Sequence, residues 1–90
     1  MQFEYDINKS KSNKHKHGID FEEIKQLWDD PYLVEIAVAF IGESRFIVIG
    51  SIVNKHWTAV ITYRNSTTRI ISVRRSRKQE VDIYDQFHKV

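Results

Sequence analysis

Lys14, His15, Lys16 and His17 place side chains that carry or exchange protons in one short run. A histidine or lysine there could act as general base or acid, because RNA cleavage requires a 2′-hydroxyl to lose a proton and a leaving oxygen to gain one. Further along come Arg64, Arg69, Arg74, Arg75, Arg77 and Lys78. Guanidinium groups grip phosphate in a fixed fork, so these residues suit the anionic backbone of a nucleic acid. Trp57, Tyr63 and Tyr5 lie near them in the pattern and could stack on unpaired bases, although Trp57 falls in an apolar set and reads first as core.

Other chemistries fit poorly. His15 and His17 stand two apart, where helical side chains diverge, and no further ligand cluster accompanies them, so neither a metal site nor a cofactor is expected. Glu22 with Glu23 and Asp29 with Asp30 are adjacent acids that would also diverge on a helix. The chain has no cysteine, no phosphate-cradling glycine loop and no nucleophile elbow. The 90 residues carry a net charge of +2, but the charge is unevenly laid out. Between Glu43 and Glu80 there is no carboxylate, although Arg45, Lys55 and all six of the cations just named from Arg64 to Lys78 fall there. An acid-free segment of this kind, displayed on a sheet, would present a positive surface to a polyanion.

Several elements must position these groups. Phe3 to Tyr5 could form a short edge strand, and Asp6 could cap a helix that ends at Gly18. That helix has no large apolar residue from Lys9 to His17, so packing through Ile7 and lysine stems is expected. A second helix follows, with Asp20 and Glu23 at capping-box spacing and Phe21, Ile24, Leu27 and Trp28 on one face, until Asp30 and Pro31 end it. Residues 33–40, 45–53, 56–63 and 69–75 read as an antiparallel four-stranded meander. If its apolar sets face the helices, Arg64 and Arg74 emerge on the opposite face. Ser76 with Gln79 resembles a cap for a C-terminal helix, anchored by Val81, Tyr84 and Phe87 or by Ile83 and Phe87. The whole is an α+β fold, one domain over residues 1–90, with no secretory signal and no membrane span, and is expected in the cytoplasm.

Nearly the whole chain resembles the BrnT toxin family. The run Phe3, Tyr5, Asp6, Lys9, Asn13, Lys16, His17, Gly18, Ile19, Phe21, Glu22 and Glu23 is similar to the family's N-terminal signature. Trp28-Asp29-Asp30-Pro31, Arg45 with Ile49 and Gly50, Tyr63-Arg64, the stretch Arg69 to Ser76, and Glu80 with Tyr84 continue the likeness. Ser76 stands where alanine is usual and Tyr5 where tryptophan is common. The resemblance implies a RelE-like fold and a type II toxin–antitoxin system, with a metal-independent ribonuclease inhibited by a BrnA-like ribbon-helix-helix antitoxin. Operator DNA would be bound only through the antitoxin complex. Carried over, the catalytic candidates are Lys16, His17, Arg64, Arg74 and Arg75, with Arg69, Arg77 and Lys78 as further RNA contacts. Arg64 and Arg74 would bind the scissile phosphate, Arg75 and Arg69 the flanking phosphates, and Lys16 or His17 would move the proton. Two other readings use the same surface: a binding module that retains RNA uncut, and a toxin fold whose role is partner binding and promoter control.

Overall fold

The computed structural model describes residues 1–88. Strand β1 spans Gln2–Glu4, helix α1 Ile7–His17, a 3₁₀ helix Glu23–Asp29, β2 Val34–Val38, β3 Arg45–Ile52, β4 Lys55–Arg64, β5 Thr67–Arg75 and helix α2 Lys78–Gln86. The sheet has five strands in the order β1-β5-β4-β3-β2. Strands β2 to β5 are antiparallel neighbours, as their alternation predicts. The expectation of a four-stranded antiparallel sheet is corrected by β1, which pairs parallel with β5 through Gln2↔Thr67, Phe3↔Thr68 and Glu4↔Arg69. Three residues are too few to reveal a pairing direction by alternation.

Asp6 caps α1, accepting from the Asn8 N–H at 2.8 Å and the Lys9 N–H at 3.2 Å, and Gly18 closes it at φ +81°. Ile7 does not hold this helix down, being 56% exposed. Two buried polar side chains do: Ser10 accepts from the Phe21 N–H at 2.9 Å, and Asn13 donates to the Ile19 carbonyl at 2.8 Å. A helix lacking an apolar stripe is thus tied to the following turn by hydrogen bonds.

The second helix is 3₁₀ rather than α-helical, although its capping box forms: Glu23 N–H to Asp20 Oδ1 at 2.7 Å and Asp20 N–H to Glu23 Oε1 at 3.0 Å. At seven residues the run is long for that winding, and Asp30, extended before Pro31, ends it. Ile24 and Leu27 are buried against Val48, Trp57, Ala59, Ile61, Ile70 and Val73, with Ile19 and Phe21. Gly50 permits this approach, because a Cβ there would meet Leu27 Cδ1 at 2.9 Å. Just past the helix Asp30 joins three elements, accepting from the Ser51 N–H at 2.8 Å and the Tyr84 hydroxyl at 2.6 Å. Burial pushes the Asp30 carboxyl up, but those bonds and the Tyr32 N–H outweigh it and hold the group below its usual range.

The C-terminal helix differs from its expected form in two ways. Its cap lies one residue later than Ser76 and Gln79: Glu80 reaches back to the Arg77 N–H at 2.8 Å, while Ser76 Oγ shares a 2.8 Å hydrogen bond with Thr58 Oγ1. Tyr84 and Ile83 anchor it on Val34, Ile36, Ile47 and Ile49, whereas Phe87 is 68% exposed. So α1 and the 3₁₀ helix cover one face of the sheet, and α2 covers part of the other. Among the described residues no helix is long and apolar enough to cross a membrane.

Candidate active site

Strand β5 carries one irregularity, and the positions of its cations follow from it. Ile61 pairs with Ile70 but Val60 pairs with Ser72, so Ile71 is an extra residue, a β-bulge. Ile70 and Val73 both enter the core, and Arg69 and Arg74 both leave on the other face, since their partners Thr62 and Thr58 lie on that side of β4. In an unbroken strand residues 69 and 74 would point to opposite faces. Regular alternation put Arg74 on this face, but counted back from Arg74 it also put Ile70 there and Arg69 on the core side, and the bulge reverses both.

β1 pairs with β5 only as far as Arg69, and beside the next stretch runs α1. Between them lies an open groove of about 400 Å³. Lys9, Ser12 and Lys16 border it from one side of α1 at helical spacing, and His17 closes the helix end. Ser72 and Arg74 border it from the strand, and Phe21, Ile71 and Val73 supply apolar wall. The structure therefore brings Lys16, His17 and Arg74 together. Lys9, Ser12 and Ser72 were not among the expected site residues, although the i, i+3, i+7 spacing of residues 9, 12 and 16 was available to find the first two.

Arg74 is not a free cation. Its Nη1 and Nη2 donate to Glu80 Oε1 and Oε2 at 2.6 and 2.8 Å, and Glu80 Oε1 also receives the Thr58 hydroxyl at 3.1 Å and the Arg77 N–H. Glu80 is 8% exposed. Burial pushes its carboxyl up, yet the bonds from Arg74, Arg77 and Thr58 outweigh this and bring it down to about 2. Glu80 was not among the expected site residues; its sequence signal was its place at the close of the acid-free run.

The remaining candidates lie elsewhere. Arg64 pairs with Thr67 and Arg74 with Thr58, so the two arginines are separated by six β4 positions, about 20 Å at strand rise. They do not converge on one phosphate, contrary to their expected joint role. Arg64 lies 3.9 Å from Glu4 and 3.5 Å from Glu43, and Arg69 lies 3.8 Å from Glu4. The acid-free run is thus met in space by the acids that border it and by Glu4. Arg75 turns to the face covered by α1 and the 3₁₀ helix, its guanidinium 5.4 Å from the Trp57 ring and its Nε donating to the His56 carbonyl at 3.3 Å. Arg77 is the exposed N-cap of α2, and Lys78 pairs with Asp82 at 3.2 Å.

The aromatic candidates are likewise engaged. Trp57 is core, and the Tyr5 hydroxyl donates to Glu22 at 2.8 Å. The Tyr63 hydroxyl donates to Glu35, and burial together with that neighbouring carboxylate pushes it up to about 12. Among the described residues no three His, Cys, Asp or Glu side chains are grouped to hold a metal ion.

The groove thus offers two lysines, a histidine, hydroxyls and a clamped guanidinium beside an apolar wall, a set suited to binding a phosphodiester and moving protons around it. No curated protein matches the chain. The sequence model for "Ribonuclease toxin, BrnT, of type II toxin-antitoxin system" matches residues 5–80, a span that takes in α1, the whole sheet after β1, and Glu80. By that match over most of its length, the chain belongs to the BrnT family of ribonuclease toxins of type II toxin–antitoxin systems.

Proposed function

We propose that this toxin cleaves RNA in the groove between α1 and β5, without a metal ion, by attack of a 2′-hydroxyl on the adjacent phosphorus. The observation that carries the reading is the meeting of Lys16, His17 and Arg74 at one groove in a chain of a ribonuclease toxin family. The 2′-oxygen forms a bond to phosphorus as the bond to the 5′-oxygen breaks, leaving a 2′,3′-cyclic phosphate and a 5′-hydroxyl. Lys16 or His17 accepts the proton lost from the 2′-hydroxyl or supplies the one gained by the leaving oxygen. Arg74, with Lys9 nearby, stabilises charge that develops on the phosphoryl oxygens. Arg64 and Arg69 are too distant for that phosphate and would meet the chain further along, while Arg75, Arg77 and Lys78 add general attraction.

Membership in the family gives the protein an antitoxin partner. We take that partner to be a BrnA-like ribbon-helix-helix protein, with operator DNA bound through the complex and toxin action in the cytoplasm. Incubating purified toxin with end-labelled RNA in EDTA tests the chemistry. Cleavage to cyclic-phosphate and 5′-hydroxyl ends is expected, falling about a hundredfold in folded Lys16→Ala, His17→Ala or Arg74→Ala variants. Loss of cleavage in EDTA, or wild-type rates in all three variants, would overturn the site. RNA retained but uncut would favour the non-catalytic binding module.

A further inference from the structure

A guanidinium has five N–H groups, and the protein's contacts use Arg74's selectively. Nη1 donates to Glu80 Oε1 at 2.6 Å and approaches the Arg75 carbonyl at 3.5 Å, and Nη2 donates to Glu80 Oε2 at 2.8 Å. The Nε–H and the second Nη2–H are left with no protein partner among the described residues. Those two run parallel along one edge of the group, the arrangement that takes two oxygens of a phosphate. The carboxylate itself is held in place: Thr58 Oγ1 at 3.1 Å and the Arg77 N–H at 2.8 Å both donate to Glu80 Oε1, and Thr58 is fully buried.

We infer that Glu80 is the positioning residue of this groove: it acts on RNA only through Arg74, fixing one edge of the guanidinium so that the other is presented to the phosphate. This deepens the proposed function and rests on it. An arginine free on its stem would have to lose rotamer freedom at the moment of binding, and a clamped one has already lost it. Thr58 and the first turn of α2 hold Glu80 in turn, so the helix start and the central strand jointly set the fork. Glu80 has no proton to give at neutral pH and is too weak a base to take one, because its carboxyl lies far below neutrality. Proton transfer therefore stays with Lys16 or His17.

The test is a double-mutant cycle read by single-turnover cleavage with saturating toxin, on wild type, Glu80→Gln, Arg74→Ala and the double variant. Glutamine keeps the shape but turns an N–H₂ toward the guanidinium, so one of the two bonds becomes a donor facing a donor. Glu80→Gln is expected to slow the chemical step roughly tenfold with RNA affinity nearly unchanged, and the double variant to cleave within about twofold of Arg74→Ala. The same tenfold loss on top of Arg74→Ala would show that Glu80 contributes independently of the arginine, and would overturn the inference. So would a rate for Glu80→Gln equal to or faster than wild type, the latter meaning that the acid restrains Arg74. If Arg74→Ala itself cleaves at the wild-type rate, the site reading fails first. Where Glu80→Gln does not fold, Glu80→Asp replaces it, since a carboxylate one methylene shorter keeps the charge but loses the two-point contact, and the same non-additivity is expected.

Discussion

At the scale of single residues, the acid-free run from residue 44 to residue 79 has a meaning that sequence order concealed. Arg74 looked unpaired because the acid-free run surrounds it, yet Glu80, six residues on in the first turn of α2, forms two hydrogen bonds with it. This arrangement couples the site to pH through stability. Glu80 falls from an ordinary value of 4.5 to about 2 on folding, so its contribution is fully present above the unfolded value and is lost as pH drops toward the folded one. With side chains 11% and 28% exposed, the pair is screened little by water, and the shift is worth about 3 kcal/mol near neutrality. Glu80→Gln cannot titrate, so urea unfolding should show the gap between wild type and variant narrowing by about 2 kcal/mol from pH 7 to about pH 3. A gap that stays constant over that range would mean that Glu80 is not held as a buried anion.

Among the elements, those that announce themselves by local pattern were legible, and those set by distant partners were not. The four strands after Pro31 alternate β-branched and polar residues, and they form in order. Asp6 and Gly18 mark α1 by capping chemistry alone. Hidden from the sequence were the parallel pairing of three-residue β1, the docking of α1 through Ser10 and Asn13, and the bulge at Ile71, each fixed by contacts far along the chain. The bulge matters most to the site, for Ile71 is both the extra residue and part of the groove wall. Deleting Ile71 leaves Ile61↔Ile70 and Val60↔Ser72 as successive pairs of a regular ladder, so every side chain of β5 keeps its face. The shortened strand should fold, with the far-ultraviolet circular dichroism of the parent, but cleave roughly a hundredfold more slowly, because the local twist and the Ile71 wall of the groove shared by Arg74 and α1 are gone. Unfolding on deletion would assign the bulge to stability, and full activity would detach it from the site.

For the whole molecule, the question is where a chain of net charge +2 holds a polyanion. A sheet surface bearing Arg64 and Arg74 was the expected answer. In three dimensions those arginines share Glu4, Glu43 and Glu80, so the sheet face carries far less free charge than the sequence order suggests. On α1, Lys9, Lys11 and Lys16 have no acidic partner among the described residues, and only Lys14 is paired, with Glu23 at 2.8 Å. The helix contains no acid at all. Unpartnered cations release counterions from a nucleic-acid strand when they bind a phosphate, whereas a cation already sharing a carboxylate gains less from the exchange. The electrostatic centre of binding therefore lies on the α1 side of the groove. Titrating an uncleavable 2′-deoxy oligonucleotide at several salt concentrations should give a log–log slope that Lys9→Ala reduces by about 0.7, the value for one single-strand phosphate contact. Arg64→Ala should reduce it by less than half as much. If the arginine variant changes the slope as much as the lysine variant does, or more, RNA runs across the open sheet face, and the Glu4 and Glu43 contacts open when it binds.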